Sequence, residues 1–360
     1  MKKKIVYVGI SGGVDSSVSA ALLIKAGFDV RGVFIKVWQP NISLTGGCTW
    51  REDRLDAMRI CAKLQIPFYM LNLEKEYKKE VVDYMIHEYK SGRTPNPDVM
   101  CNKYIKFGGF FNWAMKNRAD YVATGHYARI NMTKNGKFQL LAGSDNNKDQ
   151  SYFLWTLTQK QLAKTLFPIG NIKKPKVRNI AKKFGLITSE KKDSQGLCFI
   201  GKVNMLDFLK KFIKTKPGKV LNEKGKVVGT HQGSELYTIG QRHGLVINRN
   251  NPHSNRSFIT SKDIVENTIT VSDDVLTQNN QPNKEFILTD INWTLGIRPK
   301  ENVSYQARIR YRGSLDKCRL NAIDKDNYKI TFTLQPKAPA KGQSVVIYDK
   351  NVCLGGGIIN

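Results

Sequence analysis

The sequence is poor in cysteine and contains no long apolar run. Six cysteines are spread over 360 residues without a CxxC pair, which excludes a secreted disulfide framework and a structural zinc site of the usual spacing. No apolar run is long enough to span a membrane, and Met1-Lys2-Lys3-Lys4 leads directly into a short strand instead of a signal peptide. These absences predict a reduced, cytoplasmic protein without a membrane partner.

Acidic residues are also scarce. The chain has 58 Lys and Arg against 30 Asp and Glu, which gives a formal charge of +28. Such an excess favours polyanionic partners, above all nucleic acid. The stretch from Phe167 to Val220 is especially basic and indicates a patch, although a generally lysine-rich composition would also raise the charge.

A turn rich in glycine and serine near the start is the most informative stretch. Ile5–Ile10 predicts a buried strand, and Val18–Gly27 predicts a helix that ends at glycine. The turn between them, Ser11-Gly12-Gly13-Val14-Asp15-Ser16-Ser17, lacks the lysine of GxxxxGK[ST] and the GxGxxG fingerprint. It matches the PP-loop pattern S-G-G-x-D-S, whose backbone N–H groups and helix N-terminus can face a phosphate.

Asp15 would be an anion beside phosphates in such a loop, so we expect Mg²⁺ between them. The alternative interpretation is an ordinary strand–turn–helix. In that case the serine hydroxyls and the Asp15 carboxylate would satisfy the first-turn amides of the helix.

Strands and helices alternate through about residue 200, the pattern of a parallel α/β domain. Ligands of such sheets bind at the carboxyl ends of the strands, which would gather the PP-loop, Ile35 and Gly125-His126-Tyr127 around one crevice. His126 could contact a ligand there or be a structural histidine. From about residue 284, five or six short strands indicate a β-barrel.

We therefore predict three domains. The first, over 1–203, is an α/β domain with a Rossmann-like parallel sheet and helices on both faces. The second, over 204–281, is small and mostly β. The third, over 282–360, is a C-terminal β-barrel.

Two cysteines stand in surroundings that favour a thiolate. Cys101 precedes a predicted helix, Asn102–Lys116, and Asp98 is close enough in sequence to serve as a proton donor or acceptor. Cys198 lies in a glycine-rich stretch after two lysines. The alternative interpretation makes Asp98 a helix cap and both cysteines packing residues.

Two further stretches are candidates for RNA contact. Lys148–Trp155 mixes polar and aromatic residues, as a base-contacting edge or an amphipathic strand would. Arginine occupies every second position at Arg308, Arg310 and Arg312, with Tyr311 between the last two. This spacing predicts that the three arginines share one face of one strand. That face would be either an RNA-contacting surface or a solvated one.

Taken together, the motifs resemble those of the bacterial tRNA-specific 2-thiouridylases over essentially the whole chain. The matching residues are Ser11–Ser16, Asn96–Asp98, Cys101–Lys103, Gly125–Tyr127, Lys148–Tyr152, Gly196–Gly201 and Tyr237–Gly244. The PP-loop by itself resembles that of the ATP pyrophosphatases, which cleave ATP between the α- and β-phosphates and adenylate an oxygen on a second substrate.

The resemblance implies an ATP-dependent sulfurtransferase that converts the wobble uridine of the tRNAs for glutamate, glutamine and lysine to 2-thiouridine. The uridine oxygen attacks the α-phosphorus and pyrophosphate leaves. Cys198 carries sulfur as a persulfide, charged by a sulfur-relay protein or a cysteine desulfurase. Either that sulfur attacks C2, or Cys101 releases it by forming a disulfide with Cys198, and AMP departs.

The resemblance also implies roles for individual residues. The catalytic residues are Asp98, Cys101 and Cys198. The ATP contacts are Gly9, Ile10, Ser11, Gly12, Gly13, Val14, Asp15, Ser16, Ile35 and Gly125. The target-base contacts are Asn96, Pro97 and Asp98, and the tRNA contacts are Lys148, Asp149, Gln150, Arg310 and Tyr311.

Three other functions fit parts of the sequence. A small-molecule adenylating synthetase would use the PP-loop without RNA, but the basic stretch and the cysteine motifs would be unexplained. A non-catalytic RNA-binding protein would bind tRNA without needing Cys198. An iron–sulfur-dependent thiolase would need more ligands than Cys101 and Cys198 supply, even with Asp98 as a third.

Overall fold

The N-terminal part is built on a parallel sheet. A computed structural model describes residues 2–39, 49–192, 205–247, 257–273 and 284–360. The five strands of the sheet are β1 (Ile5–Gly9), β2 (Asp29–Lys36), β3 (Phe68–Asn72), β4 (Tyr121–Ala123) and β7 (Thr165–Leu166). Their order is β3-β2-β1-β4-β7, and neighbouring strands run parallel. This confirms the predicted parallel α/β domain.

Helices cover both faces of this sheet because the strands carry apolar side chains on both faces. Helices α1 (Val14–Lys25) and α2 (Thr49–Lys63) pack on the face that includes Val6 and Val8. The opposite face, with Tyr7 and Val122, packs against the end of a long helical segment.

Two long helical segments each combine α- and π-helical turns. The first consists of α3 (Glu74–Tyr77), a π-helical stretch (Lys78–Asp83) and α4 (Tyr84–Lys90). The second consists of α5 (Pro97–Met100), a π-helical stretch (Cys101–Phe110) and α6 (Phe111–Lys116). Two shorter helices follow, α7 (Gln159–Leu162) and α8 (Lys174–Lys183).

The second long segment begins earlier than the predicted Asn102. Asn96 occupies the N-cap and its side chain accepts a hydrogen bond from the backbone N–H of Val99 at 3.2 Å, with Pro97 in the first turn. Asparagine caps and first-turn prolines are both favoured at helix starts. Cys101 therefore lies in the second turn instead of at the N-terminus, and Asp98 is a first-turn residue instead of the cap.

The central part is a small mixed sheet. It follows helix α9 (Met205–Lys210) and consists of β8 (Gly218–Asn222), β9 (Val227–His231), β10 (Val246–Ile247), β11 (Phe258–Asp263) and β12 (Thr268–Ser272). The strand order is β10-β9-β8-β12-β11, with β8 and β12 parallel and the other pairs antiparallel.

The C-terminal part is a closed six-stranded antiparallel barrel, as predicted. Its strands are β13 (Glu285–Trp293), β14 (Tyr305–Arg308), β15 (Asp316–Ala322), β16 (Tyr328–Phe332), β17 (Ser344–Asp349) and β18 (Val352–Ile359). Closure comes from pairing of β13 with β18. Leu320, Ile330 and Ile347 are fully or almost fully buried inside it.

A hairpin from the N-terminal part extends the barrel sheet. Its strands are β5 (Ala128–Met132) and β6 (Phe138–Ala142), and β6 pairs with β18 through Leu141 with Val352 and Leu140 with Cys353. Neither this hairpin nor β18 was predicted. The first and last domains thus share one eight-stranded sheet. Among the described residues, no helix has the length and apolar character required to cross a bilayer.

Candidate functional site

The PP-loop is closed by one of its own hydroxyls. The Ser16 hydroxyl accepts a hydrogen bond from the backbone N–H of Ser11 at 3.2 Å and donates one to the carbonyl of Gly13 at 3.2 Å. Ser17 likewise donates to Gly13 and Val14 carbonyls. The serine hydroxyls therefore bond to loop atoms and carbonyls, so the alternative in which they cap the first-turn amides of α1 is wrong.

Glycines let the loop pack more closely than other residues could. Gly12 has φ +74°, and a Cβ atom there would lie 2.5 Å from the carbonyl oxygen of Asp53 in α2. Gly13 is the N-cap of α1 and offers no side-chain oxygen to the amides that follow. The positive end of the helix dipole thus faces a glycine turn held by the Ser16 hydroxyl, an arrangement that favours an anion at this end of α1.

Gly125 supports this loop from the neighbouring strand. A Cβ atom at Gly125 would lie 2.7 Å from the backbone nitrogen of Ser16 and 2.8 Å from the carbonyl carbon of Asp15. Gly9 ends β1, and half-buried Ile35 lies near the end of adjacent β2. The implied nucleotide residues are therefore gathered at the carboxyl edge of three adjacent strands.

Asp15 has a cationic partner within the protein. The Nζ atom of Lys174 donates to both carboxylate oxygens of Asp15 at 2.8 Å, and the hydroxyl of Tyr127 donates to Oδ1 at 2.7 Å. The Lys174 side chain is only 10% exposed. Sequence reasoning missed both Lys174 and the role of Tyr127. The available signal was that the loop lacks the lysine of GxxxxGK[ST]. That absence does not indicate which lysine elsewhere in the sequence pairs with Asp15.

The expected Mg²⁺ has no preformed ligand cluster. In the part of the chain that the structure describes, no three His, Cys, Asp or Glu side chains are grouped so that they could hold a metal ion. A metal at Asp15 would therefore depend on phosphate oxygens and water for most of its ligands, as Mg²⁺ usually does with nucleotides.

His126 is a structural histidine beside the loop. It is buried, with Nδ1 2.7 Å from the Thr124 hydroxyl and Nε2 3.4 Å from Lys106 Nζ. An ammonium group can only donate, so Nε2 accepts and the ring proton is on Nδ1. Burial and the Lys106 charge hold the pKa of His126 well below its ordinary value. This contact also joins the Cys101 segment to the strand end that carries Gly125.

The proposed target-base residues lie on a rigid turn. Besides bonding to Val99, the Asn96 side chain hydrogen-bonds to the Tyr152 hydroxyl, which partly offsets the burial that raises the pKa of that phenol. Asp98 is half-buried, and Cys101 is 4% exposed. Cys198 lies outside the described residues, so its approach to Cys101 stays a prediction.

The stretch around Asp149 is packed against the barrel. Asp149 is 5% exposed, and its carboxylate accepts hydrogen bonds from the backbone of Gly143 and Ser151 and from Arg308 at 3.3 Å. Gln150 accepts from the backbone N–H of Tyr127 at 3.0 Å. The carboxylate of Asp149 thus bonds to protein groups, and half-buried Lys148 is the cation at this edge.

The three alternating arginines do not share one face, because β14 ends at Arg308. Arg308 pairs with Asp149, as described above. Arg310 Nη2 donates to the carbonyls of Ile239 and Ala338 at 2.7 and 2.8 Å. Arg312 is exposed and lies 5.1 Å from the centre of the Tyr311 ring, which in turn contacts Phe153 with ring centres 4.5 Å apart. Of the three arginines, Arg312 is therefore the one that forms a cationic and aromatic surface, together with Tyr311.

Three family models match the chain in succession. A tRNA methyl transferase HUP domain matches residues 4–202, a tRNA methyl transferase PRC-barrel domain matches 206–273, and an aminomethyltransferase beta-barrel domain matches 283–359. They correspond to the parallel α/β part, the central sheet and the barrel described above.

Curated relatives match nearly the full length. The tRNA-specific 2-thiouridylase MnmA of Lacticaseibacillus paracasei is 44% identical over 360 residues, which cover 99% of this chain and 94% of that protein. The protein of the same name from Francisella tularensis subsp. novicida is 42% identical over 362 residues and covers 100% of both chains. That of Bacillus cytotoxicus is 44% identical over 355 residues, with 99% and 94% covered. This chain therefore belongs to the tRNA-specific 2-thiouridylase MnmA family, the tRNA sulfurtransferases built on a PP-loop domain.

Proposed function

We propose that this chain adenylates the C2 oxygen of the wobble uridine in the tRNAs for glutamate, glutamine and lysine and replaces that oxygen with sulfur. The observation that carries the proposal is the glycine cradle at the start of α1. Gly12 packs the loop on the backbone of Asp53, and Gly125 packs on the backbone of Asp15 and Ser16, so that the loop is held close to its neighbours. Lys106 and His126 join this loop to the segment bearing Cys101. Family membership supplies the tRNA substrate.

ATP would be the adenylyl donor. Gly9–Ser16, Ile35 and Gly125 would hold it, with the backbone N–H groups of the loop directed at the phosphates. Lys174, which neutralises Asp15 in the protein, would supply the cation that a P-loop carries within its own sequence. Mg²⁺ would accompany ATP at Asp15 and offset the charge of the departing pyrophosphate.

The chemistry requires an activated oxygen and a sulfur nucleophile at the same carbon. The C2 carbonyl of uridine is amide-like and a poor electrophile, and transfer of AMP to its oxygen turns that oxygen into a leaving group. Cys198 would bring persulfide sulfur. In one route this sulfur attacks C2 and displaces AMP, and the Cys101 thiolate then breaks the sulfur–sulfur bond, which forms a Cys101–Cys198 disulfide and frees 2-thiouridine. In the other route Cys101 forms the disulfide first and releases sulfide, which attacks C2 and displaces AMP. Asp98, one turn before Cys101, would donate or accept the proton.

The base must leave its stack to reach this site, which favours a nucleotide in a loop. We propose that Lys148, Gln150 and Tyr311 contact the tRNA. The implied contacts of Asp149 and Arg310 are the two that the geometry supports least, because those charged groups already bond to protein. A sulfur-relay protein or a cysteine desulfurase would charge Cys198 in the cytoplasm.

The test is reconstitution with unmodified tRNA, ATP and a cysteine desulfurase with cysteine, followed by mass spectrometry of nucleosides. We expect 2-thiouridine in the tRNAs for glutamate, glutamine and lysine. Cys198→Ser should abolish the product and leave tRNA affinity nearly unchanged, whereas Cys318→Ala in the barrel core should retain turnover. Pyrophosphate release without tRNA and without a thiolated nucleoside would instead indicate a small-molecule synthetase. Thiolation that survives Cys198→Ser would reject the sulfur-carrying role.

A further inference from the structure

The loop before the proposed target-base residues, Asn96–Asp98, is hydrogen-bonded to the two later domains. The backbone N–H of Thr94 donates to the carbonyl of Lys341 in the barrel at 2.7 Å. Its hydroxyl lies 3.3 Å from the hydroxyl of Thr238 in the central domain. Thr94 is buried and is followed immediately by Pro95 and the N-cap residue Asn96. One residue thus ties the start of this helix to both later domains.

Close packing reinforces the grip on the barrel side. Gly342 has φ +89°, and a Cβ atom there would lie 2.9 Å from the carbonyl oxygen of Thr94 and 3.0 Å from Glu88 Oε2. Glu88 in turn pairs with Arg93 at 2.9 Å, and Arg93 also donates to the carbonyl of Ile359 at 3.2 Å. The barrel therefore approaches this loop along a backbone surface with no space for a side chain.

Arg310 joins the two gripping elements to each other. Its Nη2 atom donates to the carbonyl of Ile239, next to Thr238, and to the carbonyl of Ala338, three residues before Lys341. This one nitrogen bonds to both carbonyls and so holds the central-domain turn against the barrel segment. These bonds within the protein give Arg310 a structural role that does not require contact with RNA.

We propose that Thr94 and Arg310 are positioning residues, which set the placement of Asn96–Asp98 relative to the nucleotide site. This inference rests on the proposed function of Asn96–Asp98 as target-base contacts. Displacement of a reacting group by about 1 Å can cost about 100-fold in rate. Loosening the junction of Thr94, Thr238, Arg310 and Lys341 should therefore lower the rate of thiolation with bound tRNA and leave tRNA affinity unchanged.

The experiment measures single-turnover thiolation at saturating tRNA, tRNA affinity over a salt series, and thermal unfolding. The variants are Thr94→Val and Arg310→Met, each expected to lower the rate about tenfold or more with affinity within twofold. Thr94→Ser, which keeps the hydroxyl, should restore the rate. Arg298→Met, at an exposed arginine that bonds only within the barrel to Lys325 among the described residues, should behave as wild type.

Each outcome decides the inference. Arg310→Met could weaken tRNA binding and reduce the slope of log affinity against log salt by about 1. In that case Arg310 contacts tRNA and the positioning role is wrong. If Thr94→Val lowers only the unfolding midpoint, the junction is merely structural. The Thr94→Val/Thr238→Val double variant should be no slower than Thr238→Val, because Thr238→Val already removes the contact between the two hydroxyls together with the Thr238 bond to Tyr89. A wild-type protein that makes no 2-thiouridine would instead overturn the proposed function itself.

Discussion

Lys174 and Asp15 form an ion pair across 159 positions of sequence, with both carboxylate oxygens 2.8 Å from the lysine nitrogen. The Tyr127 hydroxyl donates to the same carboxylate, and the Lys174 ammonium group lies over the Tyr127 ring, 5.8 Å from the ring centre. Helix α8 thus places a cation beside the PP-loop, which contains no lysine or arginine of its own.

Lys174→Met should lower ATP-dependent pyrophosphate release by about 100- to 1,000-fold, the range typical for loss of one electrostatic contact to a developing charge. Lys174→Arg should restore part of the rate because it keeps the charge. The measurement is pyrophosphate release with tRNA present, with Lys25→Met at the exposed end of α1 as control. Undiminished release in Lys174→Met would remove the lysine from the phosphate site.

Gly125→Ala should raise the KM for ATP at least tenfold, because the new methyl group would lie 2.7 Å from the backbone nitrogen of Ser16 and would push the PP-loop out of place. Gly136→Ala is the matched control. A Cβ atom there would meet nothing within 4 Å, so no contact is disturbed. The remaining effect is the strain of alanine at a positive φ, about 1 kcal/mol of unfolding free energy. Equal ATP kinetics in the two variants would contradict the role of Gly125.

Lys148 and Asp149 are adjacent but should respond to substitution in opposite ways. Lys148→Ala should reduce the slope of log affinity for tRNA against log salt by about 1. Asp149→Asn should keep that slope and lower the unfolding free energy by about 3–5 kcal/mol, because Arg308 would lose its buried partner. A changed slope in Asp149→Asn would place its carboxylate at the RNA instead.

Acidification should destabilise the protein partly through His126. Its pKa is depressed in the folded state and near 6.5 when unfolded, so below pH 6.5 the unfolded chain binds more protons. The free energy of unfolding should therefore fall as pH drops from about 7 to 5. His126→Gln should flatten this dependence. An unchanged slope in His126→Gln would mean that the ring is not buried in its neutral form.

The sequence predicts those elements whose signal is local. Apolar strands followed by helices are visible as periodicity, and the PP-loop is visible because its glycines, Asp15 and serines occur within a few residues. The helix was predicted to start at Asn102, five residues after its first-turn residue Pro97, although proline is well suited to a first helical turn.

Long-range pairing explains the remaining differences. Strand β18 contains Gly355, Gly356 and Gly357, which are poor strand formers. They are accepted because backbone atoms of neighbouring strands approach so closely that a Cβ atom would collide. The Asp15–Lys174 pair and the clamped position of Arg310 likewise depend on residues far away in sequence. No local pattern contains that information.

The hairpin of β5 and β6 has a consequence for synthesis of the chain. Leu140 and Leu141 leave the ribosome long before their partners Val352 and Cys353, a delay of roughly 10 to 40 s at about 5–20 residues per second. Throughout that interval β6 has an unpaired edge that can associate with other nascent strands. The last nine residues therefore complete the first domain as well as the barrel, and a transcript cut short at the second domain would yield an aggregation-prone product.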